Sequence, residues 1–347
     1  MRAVTFQDVG KLSLEDVPKP TLQEPTDALL RVTKSAICGS DLHVLNGRIP
    51  GMMPGGVLGH EFVGVIEEVG PDVRKVEPGD RALASMTIPD GACWYCQRGM
   101  YSRCPDNVVF GYGVYLGDLN GGQAEYVRVP RADLGLHRLD ASLSDEQALF
   151  AGDIFSAGYD CAVEGRIQPG DSVVVQGCGP VGLFAIQAAQ TFKPGQLFAV
   201  DTVEQRLELA QSFGATAVNA KHVHVPTFVQ DHTGGRGADV VLECVGALPA
   251  FDQAIDLVRA GGRVSVIGVY SEPEHAIPIS TIFVKAVDVK FCGTANVLGH
   301  WDSVLELVRS GQADPTAIIS HRMNLSDALV GYELFAAREA MKVVLTP

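Results

Sequence analysis

The chain has 347 residues, enough for two domains that each bury a core of their own. Its 46 % apolar and 20 % charged content is that of a globular protein, and a formal net charge of −14 leaves no basic face for nucleic acid or an anionic membrane. Residues 1–20 contain no apolar run of signal-peptide length, and no stretch reaches the ~20 apolar residues that span a bilayer, so the expectation is a cytoplasmic protein without membrane partners. In such a reducing compartment, clustered cysteines read first as metal ligands. The isolated Cys161, Cys244 and Cys292 read as small core residues.

Up to about residue 150 the pattern is short strands broken by Gly and Pro, expected at 28–37, 62–69, 81–86 and 124–129. That spacing suggests a small barrel or sandwich. Directly after the first of these strands comes Cys38-Gly39-Ser40-Asp41-Leu42-His43, and later Gly59-His60-Glu61. A thiolate and an imidazole suit a borderline metal, and catalytic zinc takes three protein ligands while leaving one position open. Cys38 and His60 would be two of the three. Alone, such a pair is more often a core cysteine and an unrelated histidine. Here it keeps company with a hydroxyl, a carboxylate, a second histidine and the following Glu61. One helical turn at 40–45 would put Ser40 and His43 on one face.

The next signal is local. Cys93 and Cys96 form a C-x2-C pair, Cys104 follows eight residues on, and Asp90 stands three residues before Cys93. A closed structural zinc site needs four ligands, and Asp90 is the natural fourth. A redox C-x-x-C is the competing reading, but nothing around it resembles a thioredoxin unit.

The second half changes style. Three valines precede Gly177-x-Gly179-Pro180-Val181-Gly182, and a helical run follows. A G-x-G-x-x-G between a strand and a helix is a dinucleotide fingerprint, its glycines letting backbone N–H groups approach a pyrophosphate. The next strand, 196–200, ends at Asp201, where an acid would accept the ribose hydroxyls; a helix cap is the bland alternative, and both roles can coexist. Arg206 lies one turn on. Strands at 239–244, 263–269 and 288–293, alternating with helices such as 248–258 and 301–310, predict a doubly wound parallel sheet. Ligands bind at the carboxyl ends of such strands, which selects Gly246, Ile267, Gly268 and Val269. His222, His224 and His232 fall in a polar connection and read as surface. A final strand at 341–345 would return to the first domain.

Together these residues resemble the zinc-dependent medium-chain alcohol dehydrogenases over essentially the whole chain, in the style of the formaldehyde and secondary-alcohol enzymes. The resemblance implies an α/β protein with a GroES-like β-barrel catalytic domain (1–154 and 295–347) and a Rossmann NAD-binding domain (155–294). It implies Asp153 as the third catalytic zinc ligand, in place of a second cysteine, and two zinc ions per chain. It also places Lys342 with the cofactor-binding residues and makes Glu61 a transient ligand, where the plain alternative is a surface charge. Asp41 would orient His60. The reaction implied is hydride transfer between an alcohol and NAD, with Ser40 taking the hydroxyl proton and His43 passing it to solvent. Ile49, Met86 and Trp301 would line the substrate pocket, and the chains would assemble as a homotetramer or dimer. Two alternatives stand beside this: a polyol dehydrogenase of the same fold, and a non-catalytic protein holding zinc and dinucleotide.

Overall fold

The computed structural model describes residues 1–270, 272 and 274–347. The chain divides into two compact units, Met1–Asp153 with Asn296–Pro347, and Ile154–Ala295. No helix among the described residues is long and apolar enough to cross a membrane.

The first unit is built on a seven-stranded sheet. Its central strand, Ala28–Ile37, alternates apolar residues into a core with Phe62, Ile66, Phe110 and Val127. It pairs antiparallel with Phe62–Val69, Tyr126–Val129 and Val343–Thr346. The last of these brings the C-terminal tail back beside the strand that ends at the first candidate ligand. Arg81–Ala84 and Leu136–Arg138 continue the sheet on one side, and His321–Asn324 ends it on the other. The strand expected over 81–86 stops at Ala84 and resumes as Thr87–Ile88. Between the two, the Met86 N–H turns to the Gly152 carbonyl, 2.9 Å away.

The second unit carries a six-stranded sheet, parallel throughout. Its order is Thr216–Asn219, Gln196–Asp201, Ser172–Gln176, Ala238–Glu243, Val258–Val266 and Asp288–Phe291. The order reverses between Ser172–Gln176 and Ala238–Glu243, and a crevice for a ligand opens at such a switch point. The strand expected at 263–269 begins earlier, at Val258, and ends at Val266. Residues 267–270 are thereby free to turn. Cys161 and Cys292 are buried here, although not in a wholly apolar setting: Ser265 Oγ lies 3.6 and 3.4 Å from their sulfurs.

Candidate metal centre and cofactor crevice

The strand Ala28–Ile37 delivers Cys38, which caps the helix Gly39–Leu45. The helix returns Asp41 beneath its own start, so that the Cys38 N–H donates to Asp41 Oδ2 at 2.9 Å. His60 arrives through Gly59, whose φ of +96° is a left-handed conformation that glycine tolerates without cost. Asp153 follows the 3-10 turn Phe150–Gly152. The result brings three residues together from 115 positions of sequence: Cys38 Sγ lies 3.8 Å and His60 Nε2 3.2 Å from Asp153 Oδ2. All three are buried, and their donor atoms lie within 4.8 Å of one another.

The electrostatics of this cluster suit a cation. Burial pushes the His60 pKa down, but Tyr112, Asp41 and Asp153 together raise it well above the ordinary value. Burial favours the neutral form of Asp153, and the neighbouring His60 reverses that and holds its carboxyl below the usual range. A thiol, an imidazole nitrogen and a carboxylate buried face to face are a costly set unless a positive charge sits among them. Sulfur, nitrogen and oxygen donors of this kind fit zinc.

Around the cluster, Ser40 Oγ lies 3.2 Å from His60 Nε2. His43 sits one turn further along the same helix, half-buried, with its pKa lowered by burial and by Arg48. Tyr112 meets the His60 ring edge-on at 5.3 Å. Ile49 and Met86 pack on the apolar cluster that contains Tyr112, whereas Trp301 is buried against His137 at 5.4 Å.

Two of the expected residues are paired with each other. Glu61 is no surface charge: it is wholly buried, and its carboxylate is paired with the ammonium of Lys342. Burial raises its pKa to about 7 against the opposing pull of Lys342. Lys342, expected at the cofactor, is itself only 1 % exposed. A buried ammonium and carboxylate of this kind neutralise one another within the first unit. The cause is the tail strand, which places position 342 beside the strand end at Ile37.

The second ligand set lies in the same unit. Asp90, Cys93, Cys96 and Cys104 also gather their donor atoms within 4.8 Å. Asp90 accepts the N–H groups of Ala92 and Cys93 at 2.7 and 2.9 Å, and Cys93 Sγ accepts the Cys96 N–H at 3.5 Å. These bonds hold the Asp90 carboxyl far below its usual range, while burial, with Cys93 and Asp90 beside it, pushes the Cys96 thiol up to about 12. Protons on such thiols are what a zinc ion replaces. His222, His224 and His232 are exposed and, among the described residues, belong to no such group.

In the second unit, Gly177 turns at φ +85° and the helix Pro180–Thr191 opens with proline in its first turn. A side chain at Gly182 would overlap the Gly177 carbonyl, so the helix packs directly against the turn. Asp201 ends its strand with Oδ1 accepting the N–H groups of Thr202 and Val203 at 2.6 and 2.9 Å. Its Oδ2 accepts the Cys178 N–H at 2.7 Å, and Arg206 stands 3.9 Å away. Asp201 thus both caps a turn and lies beside the glycine loop. Gly246, at φ +72°, leaves no room for a Cβ against the Val269 backbone. Sequence reasoning missed what holds this turn: buried Glu243 accepts from Val245 N, Gly246 N and the Tyr270 hydroxyl at 2.8, 3.0 and 2.8 Å. An acidic residue three positions before the glycine of the turn was the available signal.

Comparison with known proteins agrees with this geometry. Residues 24–139 match the alcohol dehydrogenase GroES-like domain and residues 180–310 the zinc-binding dehydrogenase family. The zinc-type alcohol dehydrogenase-like protein AdhB of Bacillus subtilis is 34 % identical, covering all of both chains. A sorbitol dehydrogenase of Halalkalibacterium halodurans is 31 % identical over 99 % of this chain and 98 % of its own. Among solved structures, the alcohol dehydrogenase TADH from Thermus sp. ATN1 is 44 % identical, with a TM-score of 0.96 over 100 % of this chain and 99 % of that one. The chain belongs to the zinc-dependent medium-chain alcohol dehydrogenases, oxidoreductases that exchange a hydride between an alcohol and a nicotinamide dinucleotide.

Proposed function

We propose that Cys38, His60 and Asp153 hold the catalytic zinc of an NAD-linked alcohol dehydrogenase, and that Asp90, Cys93, Cys96 and Cys104 hold a structural one. The observation that carries this is the convergence of three buried donors, with the Ser40 hydroxyl 3.2 Å from one of them, His60 Nε2. A bound zinc supplies a Lewis acid that lowers the pKa of a coordinated hydroxyl. The chain's own residues do the rest. Ser40, at the donor cluster, takes the alcohol's proton as its own hydroxyl proton passes to His43, one helical turn further along. Burial and Arg48 keep the pKa of His43 low, and it hands the proton on towards solvent. Positioned proton transfers of this kind contribute ~10²–10⁴-fold. Asp41 holds the far side of the His60 ring, and Glu61 with Lys342 fixes the charge behind the metal.

The coenzyme is NAD rather than NADP. Asp201, placed for the adenosine ribose beside Gly177, Gly179, Pro180, Val181 and Gly182, would face a 2′-phosphate at close range, and Arg206 already pairs with it. Two like charges ~4 Å apart repel by up to about 4 kcal/mol at an effective dielectric of 20, and half of that discriminates more than about tenfold. Gly246, Ile267 and Val269 complete that crevice. A cytoplasmic location is supported by eight cysteines that are all unbridged. Assembly as a homotetramer is supported by the apolar side of the helix Ile279–Lys285, where Phe283 and Val284 are 82 % and 79 % exposed.

The test is kcat/KM with NAD and NADP over short, branched, benzylic and polyol alcohols. The reading predicts a preference of at least about tenfold for NAD, lost in Asp201→Ser, and simple alcohols ahead of polyols. Polyols ahead would favour the sorbitol-type alternative, and no turnover with any alcohol would favour the non-catalytic one.

A further inference from the structure

Behind His60 the structure contains a chain of buried polar groups that the metal ligands alone do not explain. Asp41 Oδ1 lies 3.2 Å from His60 Nδ1, and among the described residues neither atom has a hydrogen-bond partner of its own. The other oxygen, Oδ2, accepts from two fixed donors, the Cys38 N–H at 2.9 Å and Gln123 Nε2 at 3.1 Å. Gln123 is fully buried and itself completely engaged. Its Nε2 also donates to the Ala36 carbonyl at 3.1 Å, and its Oε1 accepts from the Tyr332 hydroxyl at 2.7 Å.

This arrangement has one workable orientation. Rotating the Gln123 amide by 180° would press its oxygen against the Asp41 carboxylate and the Ala36 carbonyl, two acceptors with nothing to donate. The Tyr332 hydroxyl, from the helix Ala328–Ala336, reinforces that orientation by giving its proton to the amide oxygen. The Gln123 backbone is fixed in turn: its N–H donates to the Leu58 carbonyl at 2.9 Å, two residues before His60. A side chain at Gly59 would collide with Gln123, so the amide sits directly over the approach to His60.

We infer that Gln123 and Tyr332 are positioning residues for the catalytic metal, locking the Asp41 carboxylate so that His60 keeps its proton on Nδ1 and turns Nε2 towards Cys38 and Asp153. The inference rests on the reading of those three residues as zinc ligands. Groups that orient a ligating histidine typically govern metal affinity by about 10–100-fold. Gln123 acts one step further out, through Asp41, and Tyr332 one step beyond that, so the effects diminish along the chain.

The experiment measures zinc release to a colorimetric chelator from the whole zinc-loaded protein, with the release phases assigned by Cys38→Ser and Cys93→Ser. Gln123→Met, which retains the length of the side chain but neither hydrogen bond, should release the catalytic zinc about tenfold faster, at the low end of the range for groups that orient a ligand. Tyr332→Phe, which retains the ring in the core, should accelerate it about threefold, less than a direct partner. The phase from the Cys93 site should not move in either, and the visible absorption of the cobalt-substituted catalytic site should shift in both. Tyr332→Phe carries the test alone if Gln123→Met does not fold. Release at the parent rate with an unshifted cobalt spectrum overturns the inference. If Cys38→Ser retains its full zinc content, the metal reading fails, and the inference with it.

Discussion

The two candidate ligand sets of the first unit are made in opposite ways. Asp90, Cys93, Cys96 and Cys104 lie within 15 residues, and short backbone bonds from Ala92, Cys93 and Cys96 shape their loop. Cys38, His60 and Asp153 come from a strand end, a glycine turn and the last residue of the unit's first segment. Their alignment depends on buried carboxylates and on a tail strand more than 180 residues further along. A local site clamps a loop that has little core beneath it, whereas a dispersed site is held by a core that already exists. Damage to the first should therefore appear in stability, and damage to the second in chemistry.

The largest expected effect follows at once. Cys38→Ser should lower kcat/KM by more than ~100-fold, beyond the range typical of groups that merely orient a ligand, and leave the melting temperature near that of the parent. Cys93→Ser should do the reverse, since a structural zinc contributes folding energy. For a unit of this size each kcal/mol shifts Tm by about 2–4 °C, so a loss of about 3 kcal/mol lowers it by about 6–12 °C. Steady-state kinetics and calorimetry on both variants decide the matter. Equal effects on both readouts would erase the distinction.

A smaller effect separates two roles of Asp90. The residue is both a candidate ligand and the acceptor for the N–H groups of Ala92 and Cys93. Asp90→Ser keeps a short acceptor for that turn but removes the anionic ligand. Zinc should leave this loop about tenfold faster, the lower end of what perturbing a ligand's surroundings brings, while the catalytic zinc is released as before. Chelator kinetics that match the parent would make Asp90 a turn residue and the site a three-cysteine one.

How much of this was legible in the sequence follows the same division. The loop ligands could be read because C-x2-C spacing and Asp90 lie in one window, and the glycine fingerprint because strand, turn and helix are contiguous. Cys38 and His60 were legible through their neighbours, but Asp153 came only from family resemblance, since nothing in a run of Phe, Ala and Gly marks a ligand. The engagement of Glu61 with Lys342 and of Asp41 with Gln123 and Tyr332 was invisible. Those partners are 281, 82 and 209 residues apart along the chain for Lys342–Glu61, Gln123–Asp41 and Tyr332–Gln123. Only the strand pairing of the tail and the burial of its neighbours bring them together. Strand ends failed for a related reason: Val266 ends its strand because the following residues turn towards Gly246, a tertiary demand without a local signal.

The smallest effect lies outside both metal sites and shows what acid does to the unit apart from metal loss. Arg322, on the strand His321–Asn324, clasps Glu146 with Nε 3.0 Å from each carboxylate oxygen and Nη2 2.9 Å from one. The pair ties the C-terminal segment to the helix Asp145–Leu149, 176 residues earlier. The Arg322 hydrogen bonds outweigh the opposing effect of partial burial and, with Lys34, hold the Glu146 carboxyl below its usual pKa. A carboxyl depressed in the folded state contributes its stability in full above the unfolded pKa of ~4.3 and loses it as pH falls through the lower folded value. Solvent screens a surface pair, so the contribution is about 0.5 kcal/mol, or a Tm change of about 1–2 °C for a unit of this size. Glu146→Gln should therefore melt about 1–2 °C below the parent at pH 7, and the gap should close below pH ~4. Loss of zinc at the two candidate sites as their thiolates protonate would affect parent and variant alike, so the difference between the melting curves isolates the ion pair. A gap that persists unchanged to pH ~3 would mean that Glu146 contributes through packing of its methylenes rather than through its charge.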